Sequence, residues 1–146
     1  YHPTNSHVMA SLIRKFCDAK KFGLSSVTCW GTGKPLREFM HVDDLGTSVV
    51  FALENWDPKD DKAPLGMNGE PLTYLNVGTG IDISIKDLAK KISRIVNFQG
   101  EIIWDKSKPD GTPKKQLNVE KIQSLGWSPT IKLDDGIKRT IDEFML

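Results

Sequence analysis

The 146-residue sequence is short of several things that would each have announced a class of function. It has only two cysteines, Cys17 and Cys29, too few and too unpatterned for a disulfide framework or a zinc site. Twenty basic residues against nineteen acidic ones leave a net charge of +1, so nothing argues for a nucleic-acid partner or a membrane surface. No apolar run approaches the roughly 20 residues that would span a bilayer. The first residues, Tyr1-His2-Pro3, contain neither an initiator Met nor the charged-then-apolar layout of a signal peptide. A reducing, cytoplasmic setting is therefore expected, and the chain is expected to begin inside a longer protein. No G-x-x-G-x-x-G loop follows an opening strand, and no nucleophile elbow or metal-ligand cluster is present.

What is present reads as one ordinary α/β or α+β domain, 38% hydrophobic and 27% charged, with helices and strands alternating and no internal repeats. Asn5-Ser6 offers N-cap chemistry for a first helix whose apolar face is Val8, Met9, Leu12, Ile13, Phe16 and Cys17, ending near Gly23. Val27 to Trp30 reads as a strand closed by the turn Gly31-Thr32-Gly33-Lys34-Pro35, and Arg37 to Val42 as another. Asp43 or Asp44 should cap a second helix with Leu45, Val49 and Leu53 turned inward. Residues 55–72, with three prolines and two glycines, lose periodicity and read as a surface loop. Tyr74-Leu75-Asn76-Val77 is expected to be a strand, and Ser84 with Asp87 a capping box that opens a third helix. A strand from Glu101 to Trp104, a polar loop from Asp105 to Lys115, a short helix capped by Asn118, and a last helix from about Asp134 to Leu146 complete the pattern.

Three polar segments could carry chemistry. Asn5-Ser6-His7 at a helix start is either a cap with an incidental solvent-facing imidazole, or a site where His7 near the positive helix end faces an anion or acts as an acid. The stretch from Trp30 to Phe39 is either a strand, a turn and a strand, or a nucleotide site. In the second case Trp30 stacks on a base, the glycines admit backbone and Arg37 clamps phosphate. The stretch from Asp105 to Lys115 is either a solvated loop, or a lid in which Asp110 accepts from ribose hydroxyls or a guanine edge while a lysine offsets diphosphate charge. Pro109 and Pro113 would lower the entropy lost in ordering such a lid.

In order along the chain, Tyr1 to Val8 (YHPTNSHV), Trp30 to Asp44 (WGTGKPLREFMHVDD), Asn76 to Gly80, Ser107 to Lys115 (SKPDGTPKK) and Leu125-Gly126-Trp127 are more specific than any one alone. Together they resemble the carboxy-terminal half of the GDP-L-fucose synthase family, extended short-chain dehydrogenase/reductases, over essentially the whole chain. The resemblance implies a substrate-binding domain with elements that complete a Rossmann sheet, the NADP-binding domain lying before residue 1. It also implies a GDP-sugar substrate, NADPH in the full-length enzyme with none bound to this fragment, and a homodimer. His7 matches the histidine that serves as acid/base in epimerisation and lies near the cofactor. Trp30, Arg37 and Asp110 match substrate-contacting positions, and Arg14 or Lys15 the basic residue against the diphosphate. The family's Ser/Tyr/Lys reducing set and its second epimerisation residue, a Cys, fall before this sequence. Cys17 and Cys29 are read as packed thiols, and the isolated fragment is expected to be inactive. Two other readings remain: the corresponding part of a different nucleotide-sugar epimerase or dehydratase, and a non-catalytic binding or assembly module.

Overall fold

A computed structural model describes Tyr1, His2 and residues 6–146, which form two compact units. Unit 1 is built from Tyr1–Arg37, Ile83–Lys115 and Asp134–Leu146, and unit 2 from Glu38–Asp82 and Gln116–Leu133. The architecture is mixed α/β, as the alternating pattern implies. No helix among the described residues is long and apolar enough to cross a membrane.

In unit 1, α1 (Val8–Lys21) buries Leu12, Ile13, Phe16, Cys17 and Ala19, the face marked by the three- and four-residue spacing. Its N-cap is His7, whose side chain makes no capping bond, while the Ser6 hydroxyl donates instead to the His2 carbonyl at 2.6 Å. The expected cap at Asn5 lies outside the described residues. β1 (Ser26–Trp30) pairs in parallel with β4 (Glu101–Asp105), from Ser26 opposite Glu101 to Trp30 opposite Asp105. Such a parallel pair needs a long crossover, and the sequence between the two strands supplies it.

The strand expected over Arg37–Val42 is shorter and earlier, β2 (Leu36–Glu38), because His41 is already the cap of the next helix. β5 (Lys114–Lys115), in the segment read as loop, runs parallel to β2 with Leu36 opposite Lys114 and Arg37 opposite Lys115. β3 (Asp82–Ser84) flanks β2 on its other edge. The helix α3 (Ile85–Val96) opens on the expected capping residues: Ser84 Oγ accepts from Asp87 N at 3.0 Å and donates to Asp87 Oδ2 at 2.6 Å. Leu88, Ala89, Ile92 and Val96 of α3 pack with the α1 face, and Phe16 meets Phe98 edge-on with ring centres 5.6 Å apart. The last helix, α5 (Leu133–Met145), adds Ile137 and Ile141 to this core and receives Lys91 and Arg94 of α3 on Asp134.

In unit 2, α2 (Val42–Asn55) departs from expectation twice. His41 caps it, the imidazole Nδ1 accepting from Asp43 N at 3.2 Å, so Asp43 and Asp44 lie in the first turn rather than at the cap. The apolar stripe is outside: Leu45, Val49 and Leu53 are exposed, Leu53 by 82%, whereas Asp44 and Ser48 are buried. The reason is the donor set facing Asp44, which accepts from Thr130 N, Thr130 Oγ1 and Ile131 N at 3.0–3.1 Å and draws that polar face inward. The unit's core is Val119, Ile122 and Trp127, with Met40, Phe51, Leu75 and Val77 against it. Ile122 belongs to α4 (Glu120–Ser124), whose N-cap is Val119, with no side-chain cap, rather than the expected Asn118; Asn118 stands one residue earlier, its Oδ1 accepting from Glu120 N at 2.9 Å.

Residues 56–72 form the expected loop, one residue later than expected because Asn55 still belongs to α2, apart from a bridge between Leu65 and Pro71. Tyr74–Val77 is not a strand, since no ladder partner stands beside it among the described residues and a strand exists only through such pairing. The turn that follows is gathered by Glu38. Its carboxylate accepts from the Thr79 backbone N–H, from Gly80 N at 2.8 Å and from Leu117 N at 3.2 Å.

Candidate functional site

The sequence-marked residues of unit 1 converge on the turn between β1 and β2. Gly31 and Gly33 hold φ at +77° and +73°, a backbone region that glycine enters without strain. A Cβ on Gly33 would lie 2.7 Å from the Trp104 ring, and one on Gly31 would collide with Asp110 Oδ1. The turn is thus packed from both sides, and α3 attaches to it through Lys86 N to Gly33 O at 2.9 Å and Ile85 N to Pro35 O at 3.0 Å.

Trp30, at the end of β1, is 61% exposed. Two ammonium groups stand close to the ring: Lys15 Nζ is 5.7 Å from its centre and Lys108 Nζ 5.6 Å. Lys15 is also fixed by donating to Thr28 O at 2.8 Å. Next to this group opens a cavity of about 230 Å³, lined by Ser6, Ser11 and Lys15 on its polar side and by Val8, Leu12, Cys29, Trp30 and Ile85 on its apolar side. The mixture suits an amphipathic ligand carrying negative charge. Of the basic pair on α1, Lys15 lines the cavity, while Arg14 is half-buried on the helix and not among the lining residues.

Arg37 and Asp110 meet the same turn from β2 and from the segment before β5. The guanidinium donates to Leu36 O at 2.6 Å, and its Nη2 lies 2.9 Å from the place a Cβ on Gly111 would occupy. Asp110 presents its carboxylate to Thr32, Oδ1 accepting from Thr32 N at 2.8 Å and Oδ2 from the hydroxyl at 2.6 Å. The Thr32 hydroxyl and N–H, with Lys34 nearby, hold the Asp110 carboxyl below the ordinary aspartate range.

His7 is exposed at the head of α1 and does not line the cavity, although its neighbours Ser6 and Val8 do. Cys17 and Cys29 are buried free thiols, and burial raises both above the ordinary range, as packed thiols would be. The structure thus groups Lys15 and Trp30 at the cavity and Arg37 with Asp110 on the adjoining turn. It adds two residues that spacing did not single out, Thr32 as the partner of Asp110 and Lys108 beside Trp30. The signal for both lay in side chains that only the fold aligns, 78 positions apart for Thr32 and Asp110.

Residues 1–65 match the NAD dependent epimerase/dehydratase family. The chain is 44% identical to a probable GDP-L-fucose synthase 1 of Oryza sativa subsp. japonica over 96% of its own length and 39% of that protein's. Among solved structures it is similar to a GDP-L-fucose synthetase from Naegleria fowleri, at 26% identity and a TM-score of 0.80, covering 99% of this chain and 40% of that one. It is also similar to MlghC, a GDP-mannoheptose C4 reductase from Campylobacter jejuni with NADP bound, at 35% identity and a TM-score of 0.78, covering 100% of this chain and 47% of that one. The chain therefore spans about two fifths of the length of the curated relatives it matches.

Proposed function

We propose that this homologue of the GDP-L-fucose synthases is the substrate-binding part of such an enzyme, taking the nucleotide end of a GDP-sugar in the cavity beside Trp30. The observation that carries the reading is the exposed indole with two lysine ammonium groups within 6 Å of its centre, at the mouth of a half-apolar cavity. An indole face suits a base or sugar ring, and the ammonium groups of Lys15 and Lys108 offset diphosphate charge. Arg37, on the adjoining turn, adds a planar guanidinium for an anionic oxygen.

The reaction proposed for the complete enzyme is conversion of GDP-4-keto-6-deoxy-D-mannose to GDP-L-fucose. The C4 carbonyl acidifies the protons at C3 and C5, and inversion there needs a base on one face and an acid on the other. His7 is proposed as one of these groups: its imidazole is exposed at the start of α1, one residue from cavity-lining side chains on either side. NADPH, when bound, supplies the hydride that reduces C4. The G-x-x-G-x-x-G phosphate loop is not in this sequence, and of the chain's residues His7 is the one proposed to lie near the cofactor as well as the sugar.

Titration calorimetry of the 146-residue chain with GDP, UDP and dTDP tests the proposal. GDP is expected to bind most tightly, and Trp30→Ala to abolish the heat. Equal binding of all three nucleotides would favour another nucleotide-sugar enzyme, and no binding to any would remove the reading.

A further inference from the structure

The segment 106–113 crosses the Trp30 turn with every residue exposed, so no buried side chain fixes its pose. Its two ends are tied by hydrogen bonds. At the start, Ser107 donates from both N and Oγ to Asp105 Oδ1, at 3.0 and 2.6 Å, and Lys108 N donates to Asp105 O at 3.2 Å. At the end, Leu36 N donates to Pro113 O at 2.8 Å, just before the β2–β5 pairing. Between them the Asp110 carboxylate grips Thr32 through both of its oxygens. The Thr32 hydroxyl is itself oriented, because it accepts from Lys34 N at 3.2 Å while donating to Asp110. Gly31 admits the carboxylate because it has no Cβ, and Gly111 is where the strap passes the Arg37 guanidinium. Two residues before Asp110, the same strap carries Lys108 to within 5.6 Å of the Trp30 ring centre.

We propose that Asp110 and Thr32 form a latch that pins the 106–113 strap to the Gly31–Gly33 turn and so sets Lys108 beside Trp30. Asp110 then acts on a bound nucleoside diphosphate through Lys108, as a positioning residue. The proposal rests on the reading of the Trp30 cavity as a nucleotide site. It adds the device that sets the site's second cation. The geometry favours this over direct ligand contact because both carboxylate oxygens point at one residue of the same unit.

The test is a double-mutant cycle on the full chain, with folding of each variant checked by circular dichroism. Thr32→Val removes the hydroxyl but leaves the cavity side chains intact, Thr32→Ser restores the donor, and Asp110→Ala removes the acceptor. Calorimetry with GDP should show Thr32→Val and Asp110→Ala each weakening affinity by about three- to tenfold, since each loses a hydrogen bond to a charged group. The double variant should bind no worse than either single one, Thr32→Ser should bind like the parent, and Lys108→Ala should not be weakened further by Thr32→Val. Normal affinity in a folded Thr32→Val variant, or additive losses in the double variant, would overturn the latch. Amide hydrogen exchange across 106–113 without nucleotide decides the latch separately. Faster exchange in Thr32→Val than in the parent supports it and unchanged exchange overturns it, even if the parent fails to bind GDP and the nucleotide reading itself falls.

Discussion

Asp44 and Thr130 lie 86 positions apart, yet a single carboxylate oxygen, Asp44 Oδ1, accepts both donors of Thr130, the N–H at 3.0 Å and the hydroxyl at 3.1 Å. With Ile131 N on Oδ2 at 3.0 Å, the side chain is both buried and fully engaged. Asp44→Ala should therefore lower stability by about 1–3 kcal/mol, because it removes the shared acceptor of three part-buried hydrogen bonds. A shift in the urea midpoint with an unchanged slope would show this, and a midpoint within error of the parent would refute it.

The same carboxylate predicts a direction with pH. Burial pushes Asp44 upward, but the Thr130 and Ile131 donors, assisted by His41, outweigh it and hold the group below its ordinary value. A carboxyl with a lowered folded pKa contributes stability above its unfolded value of about 3.9, and loses it as pH falls through the folded value. Urea midpoints should thus decline on acidification below about pH 4, and less so in Asp44→Asn. An equally steep decline in that variant would assign the acid sensitivity to other groups.

The orientation of α2 separates two substitutions only two positions apart. Leu53 is exposed, so Leu53→Lys should change stability by no more than about 0.5 kcal/mol and should reduce self-association in light scattering. Phe51 packs on the Val119, Ile122 and Trp127 cluster, so Phe51→Ala should be destabilising by about 2–4 kcal/mol. If the two effects came out reversed, the helix would be turned the other way.

Gly33→Ala should be poorly tolerated. The residue sits at φ +73°, and the new methyl would stand 2.7 Å from the Trp104 ring and 2.9 Å from Lys86 Cβ. Strain and overlap together suggest about 1–3 kcal/mol, with the thermal midpoint as the readout; an unshifted midpoint would mean the turn relaxes freely.

The elements that the sequence made legible are those whose cause is local. Ser84 and Asp87 bond one another within a turn, so their spacing alone announced α3, and the spacing from Leu12 to Cys17 marked the buried side of α1. Where the cause is distant, local reading failed. The periodicity of α2 located a helix but assigned the wrong face inward, since the partners of Asp44 come from the far end of the chain. Tyr74–Val77 has strand composition, and composition does not supply a neighbouring strand. At the site, the resemblance marked Lys15, Trp30, Arg37 and Asp110, but neither Thr32 nor Lys108 could be matched to them until the β1–β4 pairing brought their segments together.

That pairing also imposes an order in time. Ser26 on β1 has to wait for Glu101 on β4, and at about 5–20 residues per second a ribosome takes roughly 4–15 s to make the stretch between them. Val27 and Cys29, buried in the finished unit, lack their β4 neighbours for that interval. Most of unit 2 is synthesised meanwhile, and α5 comes last. A nascent chain stalled before Glu101 should consequently present β1 to any holding chaperone, and release from it should track the emergence of β4.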